Sequence, residues 1–229
     1  MPPTHETFAL DQLAFASDVK KNKAGGSYVS VGYGPAKEQV HFQLGASPKD
    51  ALRTPFGLDA SKEEPDKRYI KLELTEPTAA FLRQFEGALL AAAGAHSAAW
   101  FKKAHEPVVL RSMLTSSLKP QSDERPDCVK LKVEADGVRA TPILVGTWRD
   151  GKLVTPRAGT LHDLAPGARI LPIVKVQGGV WFMNGGKSFG MSLAVAALLV
   201  VKEASASGTG PLQFEMGDVE MTDAEEDEE

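Results

Sequence analysis

The chain has 229 residues, of which 42% are hydrophobic, and its 26 basic and 30 acidic side chains give a formal net charge of −4. This length allows one good core, and the single cysteine, Cys128, excludes an internal disulfide and favours a reducing, intracellular compartment with the thiol buried. The N-terminus does not read as a signal peptide, and the longest apolar run, nine residues at 193–201, is far shorter than the roughly 20 residues that span a bilayer, so we expect a soluble protein.

The first part of the chain predicts strands separated by loops. Residues 1–26 are predicted to form an N-terminal arm that ends in a basic, glycine-containing loop. Residues 45–66 are rich in Pro, Asp, Lys and Ser and predict a long loop. Alternating hydrophobic residues predict three strands, at 27–33, 40–44 and 69–75.

One long helix is predicted after the third strand. It opens at Glu76 with Pro77 in the first turn, a position that proline favours. Apolar residues then recur at helical spacing, at Phe81, Phe85, Ala88, Leu89 and Ala92. Gly94 is predicted to end or break the helix, before a second piece that includes Trp100 and Phe101.

Beyond Pro107 the pattern becomes β-like again. The predicted strands are 129–133, 141–149, 169–177, 180–183 and 189–202. Asp136–Gly137 predicts a hairpin turn between the first two of these strands, and Asp150–Gly151 and Gly178–Gly179 predict further turns.

This order of elements predicts a mainly β fold class with one long helix. A helix between the third and fourth strands is the connectivity of an oligonucleotide/oligosaccharide-binding (OB) fold, whose small closed barrel removes exposed strand edges. An unrelated β-rich α+β fold stays open. The predicted domains are the arm at 1–26, an OB-fold-like domain at 27–203, and a flexible linker with a disordered acidic tail at 204–229.

The tail reverses the sign of the charge on the chain. Residues 215–229 hold nine carboxylates and no Lys or Arg, and without them the 26 basic side chains exceed the remaining 21 acidic ones by five. A basic body tied to a polyanionic tail predicts that the tail occupies a cationic groove until a longer polyanion displaces it. The alternative is a solvated end that only aids solubility.

The sequence offers no convincing catalytic or metal site. The five His residues are scattered, and none has metal-ligand spacing to Cys, Asp or Glu. Residues 185–188 resemble the end of a phosphate-binding loop, but Trp181 occupies the place of the required first glycine. We therefore expect a protein that is not an enzyme and holds no cofactor or metal.

Basic and aromatic side chains recur together on the β segments and their turns. A surface that binds single-stranded nucleic acid needs both, because cations follow the phosphates and rings stack on bases with about 1–3 kcal/mol each. For each ring the alternative is burial in the core, and for each lysine simple solvation. The candidate nucleic-acid-binding residues are Lys20, Lys21, Lys23, Tyr28, Lys71, Lys130, Lys132, Trp148, Arg149, Lys152, Lys175, Trp181, Lys187 and Phe189.

Two stretches carry a family resemblance. They are GGVWF at 178–182 continuing to KSFGMSL at 187–193, and PDCVKLKV at 126–133. They resemble the single-stranded DNA-binding proteins of large eukaryotic DNA viruses, which are related to the replication single-strand-binding protein of T7-like phages. The resemblance covers roughly residues 20–203. It implies an OB barrel, a basic and aromatic cleft, homodimers, and an acidic tail that contacts replication proteins and competes with DNA.

The tail departs from that family at its end. The phage-type tail ends in an aromatic residue, whereas this chain ends in Asp227, Glu228 and Glu229. This departure weakens the expectation of partner docking through the tail but leaves the competition argument, which needs only charge.

The predicted function is therefore sequence-independent binding of single-stranded DNA in DNA replication, recombination and repair. If the protein is viral, we expect it in the host nucleus or a cytoplasmic virus factory, with no membrane partner. The alternative is a protein-interaction module, similar to a histone chaperone, whose acidic tail engages basic proteins. A third alternative is an enzyme whose site lies in the long loops.

Overall fold

The computed structural model describes residues 2–60, 68–120, 125–135, 137, 140–149 and 152–203. The predicted acidic tail and its linker lie outside these residues, as do Asp136 and the predicted turn at Asp150–Gly151. The side chains of Arg149 and Lys152 are not described either.

Within the described ranges the chain is mainly β with one long helix, which confirms the predicted fold class. The helices are α1 (Glu76–Ala95), α2 (Ser97–Phe101) and α3 (Pro107–Met113). The strands are β1 (Leu13–Phe15), β2 (Lys20–Lys21), β3 (Ser27–Val29), β4 (Val31–Tyr33), β5 (His41–Gln43), β6 (Leu52–Arg53), β7 (Leu58–Ala60), β8 (Arg68–Glu73), β9 (Leu118–Lys119), β10 (Cys128–Val133), β11 (Ile143–Arg149), β12 (Lys152–Ala158), β13 (Arg169–Met183) and β14 (Ser188–Glu203).

Twelve of these strands belong to one sheet, whose main path runs β2-β3-β13-β14-β10-β8-β7. Strands β5 and β6 also pair with β13, β9 pairs with β10, and β11 joins β14 to β12. Among the described strands, the two ends of the main path, β2 and β7, each pair with a single neighbour. The sheet is therefore open, and the predicted closed barrel is corrected to an open sheet.

The long antiparallel pair β13 and β14 forms the middle of the sheet. The turn predicted at Gly178–Gly179 is wrong, because β13 continues through both glycines. Their φ angles of +73° and +76° accompany a shift in the register between β13 and β14, between Gln177 and Val180. A Cβ on Gly179 would collide with the carbonyl oxygen of Val29, so glycine here lets β3 pair closely with β13.

Three other predictions of local structure are corrected. The loop predicted at 45–66 contains the short strands β6 and β7. The segment after Pro107 forms helix α3, with Pro107 in its first turn, rather than a strand. Strands β10 and β11 do not form a hairpin, because both run parallel to β14, with Lys132 opposite Ala194 and Ile143 opposite Leu198.

Helix α1 covers one face of the sheet and encloses the core. Its predicted apolar stripe is buried at Phe81, Phe85 and Leu89. The helix ends at Ala95, one residue beyond the predicted end at Gly94. The core also takes Phe8 from the predicted N-terminal arm, whose ring packs edge-on against Phe42 and Phe81. Residues of this arm also supply β1 and β2, so part of it belongs to the packed structure.

In the part of the chain that the structure describes, no helix combines the length and the hydropathy that a membrane crossing requires.

The bulge in β13 generates a prediction about stability. Replacing Gly179 with Ala should lower the free energy of unfolding by about 3 kcal/mol or more, because the new methyl group meets the backbone of β3 in a left-handed conformation. Gly178→Ala is the matched control, since a Cβ there meets no atom within 4 Å, and should cost only about 1 kcal/mol. Urea unfolding of both variants measures the difference, and equal losses would contradict the close approach of β3.

Candidate nucleic-acid interface

The sheet face turned away from α1, called the outer face below, carries the polar residues of β8 and β10. In β10, Leu131 points into the core, so its neighbours Lys130 and Lys132 point outward. The ladder pairs Lys130 with Lys71 and Lys132 with Tyr69, and directly opposite residues share a face. The alternation therefore brings three lysines and one tyrosine together.

Trp181 joins the same face from β13. Val180 is fully buried, so Trp181 points outward, and its Cα partner on β14 is Gly190. A Cβ on Gly190 would lie 2.8 Å from Cζ2 of Trp181, so the indole rests directly against the glycine backbone. Tyr28 is the partner of Trp181 on β3, and Lys20 is the partner of Tyr28 on β2. The row of outward residues thus continues to the sheet edge.

Two concavities lie on the outer face and share Tyr69, Lys119 and Lys130, so we describe them together as the outer groove. The first has a volume of about 460 Å³ and is lined by Tyr69, Thr115, Ser116, Ser117, Lys119, Lys130, Lys132, Gln177, Trp181, Met191, Ser192 and Leu193. The second has a volume of about 500 Å³ and is lined by Phe56, Gly57, Asp59, Tyr69, Lys71, Lys119 and Lys130.

One wall of the outer groove is held by a carboxylate from α1. The hydroxyl of Ser116 donates to both oxygens of Glu86 at 2.9 and 2.8 Å, and the Ser117 backbone N–H donates to Oε1 at 2.6 Å. The backbone N–H of Thr115 donates to the carbonyl oxygen of Phe189 at 2.8 Å. These bonds tie the segment that precedes Lys119 to both the helix and β14.

The charge of the outer groove is predominantly positive. Of its four lysines, only Lys132 forms an ion pair with a described carboxylate, Glu134, at a weak 3.9 Å. The ammonium group of Lys130 lies 4.1 Å from the centre of the Tyr69 ring. That of Lys71 lies 5.5 Å from the centre of the Phe56 ring. Such contacts hold a cation beside an aromatic surface without neutralising it.

The structure brings several of the predicted site residues together. Lys71, Lys130, Lys132 and Trp181 line the outer groove. Lys20, Tyr28 and Lys175 lie on the same face of the sheet by register.

Other predicted residues lie elsewhere. Lys21 pairs with Ser27 and points to the face opposite Lys20, while Lys23 and Lys187 are exposed in turns outside the outer groove. Trp148 packs against a second, small hydrophobic cluster of Ala51, Leu171 and Val201.

Phe189 is a correction. Its ring has no exposed surface, since it packs in the core against Phe101 and Phe182, so no base can stack on it. The choice of Phe189 failed because β14 turns this residue inward and the neighbouring Gly190 outward.

Among the aromatic and basic residues of the outer groove, sequence reasoning missed three, Phe56, Tyr69 and Lys119. Tyr69 alternates with Ile70 and Leu72 in the clearest predicted strand, so the pattern contained the signal. Phe56 and Lys119 lie in or beside strands of two or three residues, which are too short to show a period.

Cys128 lies at the start of β10 and is 3% exposed, as expected for a structural cysteine. Burial raises the pKa of its thiol, and the nearby charge of Lys71 opposes this effect only in part. Across the described ranges no group of three or more His, Cys, Asp and Glu side chains could hold a metal ion.

Comparisons with known proteins give matches only among solved structures. No protein-family model matches the chain, and no curated protein matches it by sequence. The similar structures include single-stranded DNA-binding proteins of bacteriophages at low sequence identity.

Protein gp2.5 of bacteriophage T7 is 14% identical with a TM-score of 0.44, and the match covers 82% of this chain and 100% of that one. The C-terminally truncated protein of bacteriophage Enc34 is 14% identical with a TM-score of 0.43, covering 86% of this chain and 98% of that one. The same phage protein in complex with single-stranded DNA is 12% identical with a TM-score of 0.42, covering 83% and 98%.

Proposed function

We propose that this chain binds single-stranded DNA largely without regard to sequence, and that the outer groove is the binding site. The observation that supports this most directly is the grouping of Tyr69 and Trp181 with four lysines in one groove. Lysines neutralise phosphates with release of counterions, and the two rings offer stacking surfaces that every base can use.

The placement of the rings favours single strands over duplexes. Trp181 and Tyr69 are half-buried in the outer groove, whereas Lys119 and Lys130, which also line it, are exposed. A base in a duplex is stacked and paired, so it must leave the double helix before it can stack on a half-buried ring. An unpaired strand offers its bases at no such cost.

The finer proposal is a non-catalytic role in DNA replication, recombination and repair, in which the protein coats exposed strands. The kinship with single-stranded DNA-binding proteins of large eukaryotic DNA viruses, and the resulting location in a host nucleus or virus factory, belong to this proposal. Its support is the sequence pattern at 178–193. Homodimer formation and contacts between the tail and replication proteins are proposed on the same ground.

Removing the ring of Trp181 tests the stacking site. Trp181→Ala should weaken binding of a labelled oligothymidine roughly tenfold, because one stacking platform is lost, and the loss should persist at high salt. Fluorescence anisotropy titrations at low and high salt measure the affinity. Trp148→Ala is the matched control and should leave the affinity unchanged, because this ring lies outside the outer groove, against the second cluster. Equal affinities of the two variants would contradict the assignment of the outer groove.

Removing one lysine charge tests the electrostatic part of the proposal. Lys130→Gln should reduce the slope of log affinity against log salt concentration by about 0.7, the value for one phosphate contact on a single strand. Lys103→Gln removes an exposed charge outside the outer groove and should leave the slope nearly unchanged. An unchanged slope for Lys130→Gln would show that this lysine contacts no phosphate.

Removing the tail tests whether it competes with DNA. Deleting residues 212–229 removes nine carboxylates and should raise the affinity for oligothymidine, most strongly at low salt. A filter-binding titration of the full and shortened chains measures the change, and equal affinities would refute competition. A shortened chain that shifts core histones but no oligonucleotide on a native gel would favour the protein-interaction module instead.

A further inference from the structure

The second concavity of the outer groove contains a carboxylate that binding of a polyanion does not require. Asp59 lies in β7, and its Cα partner on β8 is Tyr69. Directly opposite residues of an antiparallel pair share a face and have Cβ atoms about 5 Å apart. The Asp59 side chain therefore lies on the outer face next to the Tyr69 ring, and both residues line the same concavity.

Within the described part of the chain, Asp59 makes no polar contact that would stabilise the fold. Its side chain is exposed, and its carboxylate forms no hydrogen bond or ion pair with the described residues. Two carboxylates beside the outer groove differ in this respect. Glu86 accepts hydrogen bonds from Ser116 and Ser117, and Glu134 accepts one from Gln177 and faces Lys132. Asp59 thus lines the second concavity with acceptor oxygens that no described residue engages.

The surroundings of Asp59 are suited to a single base. Phe56 is 62% exposed and provides an open aromatic surface in the same concavity, together with Tyr69. Lys71, Lys119 and Lys130 line it as well, so their positive charge offsets the repulsion between Asp59 and a phosphate. A base held by these rings can present its polar edge to the Asp59 carboxylate.

We propose, on the basis of the function proposed above, that Asp59 makes the second concavity select a base with an exocyclic amino group over thymine. A carboxylate accepts a hydrogen bond from the N4 amino group of cytosine. Thymine has a carbonyl oxygen at that place, so two acceptors face each other and the pair is unfavourable. The protein then binds all single strands but binds cytosine-rich strands more tightly than thymine-rich ones.

The test compares the affinities of the full chain for oligodeoxycytidine, oligodeoxythymidine and oligodeoxyuridine of one length, measured by anisotropy under one salt condition. Pyrimidines are compared because their rings stack over similar areas, and the uridine strand separates the missing amino group from the thymine methyl group. We expect cytidine to bind roughly fivefold more tightly than either of the others, in line with one hydrogen bond at an exposed site.

Asp59→Asn identifies the residue responsible. It should bring the ratio of cytidine to thymidine affinity close to one, while both affinities rise because a negative charge is lost. Asp11→Asn makes the same chemical change at an exposed position outside the outer groove and should keep the fivefold ratio. Thermal unfolding of both variants should match that of the parent chain, since neither carboxylate bonds to described residues.

The outcomes separate the two levels of the proposal. Equal affinities of the parent chain for the three strands, or an unchanged preference in Asp59→Asn, would overturn the role of Asp59 while leaving single-strand binding intact. Failure of the parent chain to bind any of the strands would contradict the proposed function itself, and with it the role of Asp59.

Discussion

The long ladder between β13 and β14 is the constraint on which the rest of the structure depends. These strands lie side by side in the middle of the sheet, and β3, β5, β6, β10 and β11 all pair with one of them. The double-glycine bulge shifts their register between Gln177 and Val180. Beyond this bulge Val180 lies in the core and Trp181 on the outer face, so the same strand supports both the packing and the proposed site.

The outer groove is open to solvent because helix α1 covers only the inner face of this sheet. Helix α1 buries the inner face, and the described part of the chain places no helix over the central strands on the other side. Strand alternation then sets the lysines of β8 and β10 outward, where water solvates them until a ligand arrives. The hydrogen bonds from Ser116 and Ser117 to Glu86 fix one wall of the outer groove to helix α1.

Much of the fold was accessible from the sequence wherever a period was long enough to detect. The strand at 69–75, helix α1 and the lysines of β10 show clear alternation or helical spacing, and the structure has them. Short elements could not be predicted, because a two-residue strand such as β6 is too short to show a period. Helix α3 was interpreted as β structure because it contains two valines, a residue type that favours strands. Trp181 and Phe189 look equivalent in sequence. The structure separates them by burial: Trp181 is half-buried in the outer groove, whereas Phe189 is fully buried in the core.

Photo-crosslinking tests the central claim most directly, namely that unpaired bases lie on the rings of the outer groove. A single strand that carries bromouracil in place of thymine would be irradiated in complex with the full chain, and the modified peptides would be identified by mass spectrometry. The account predicts crosslinks at Trp181 and at Tyr69 or Phe56, which line the two concavities. Crosslinks confined to Trp148 or to residues around α2 would contradict it, because those positions lie outside the outer groove.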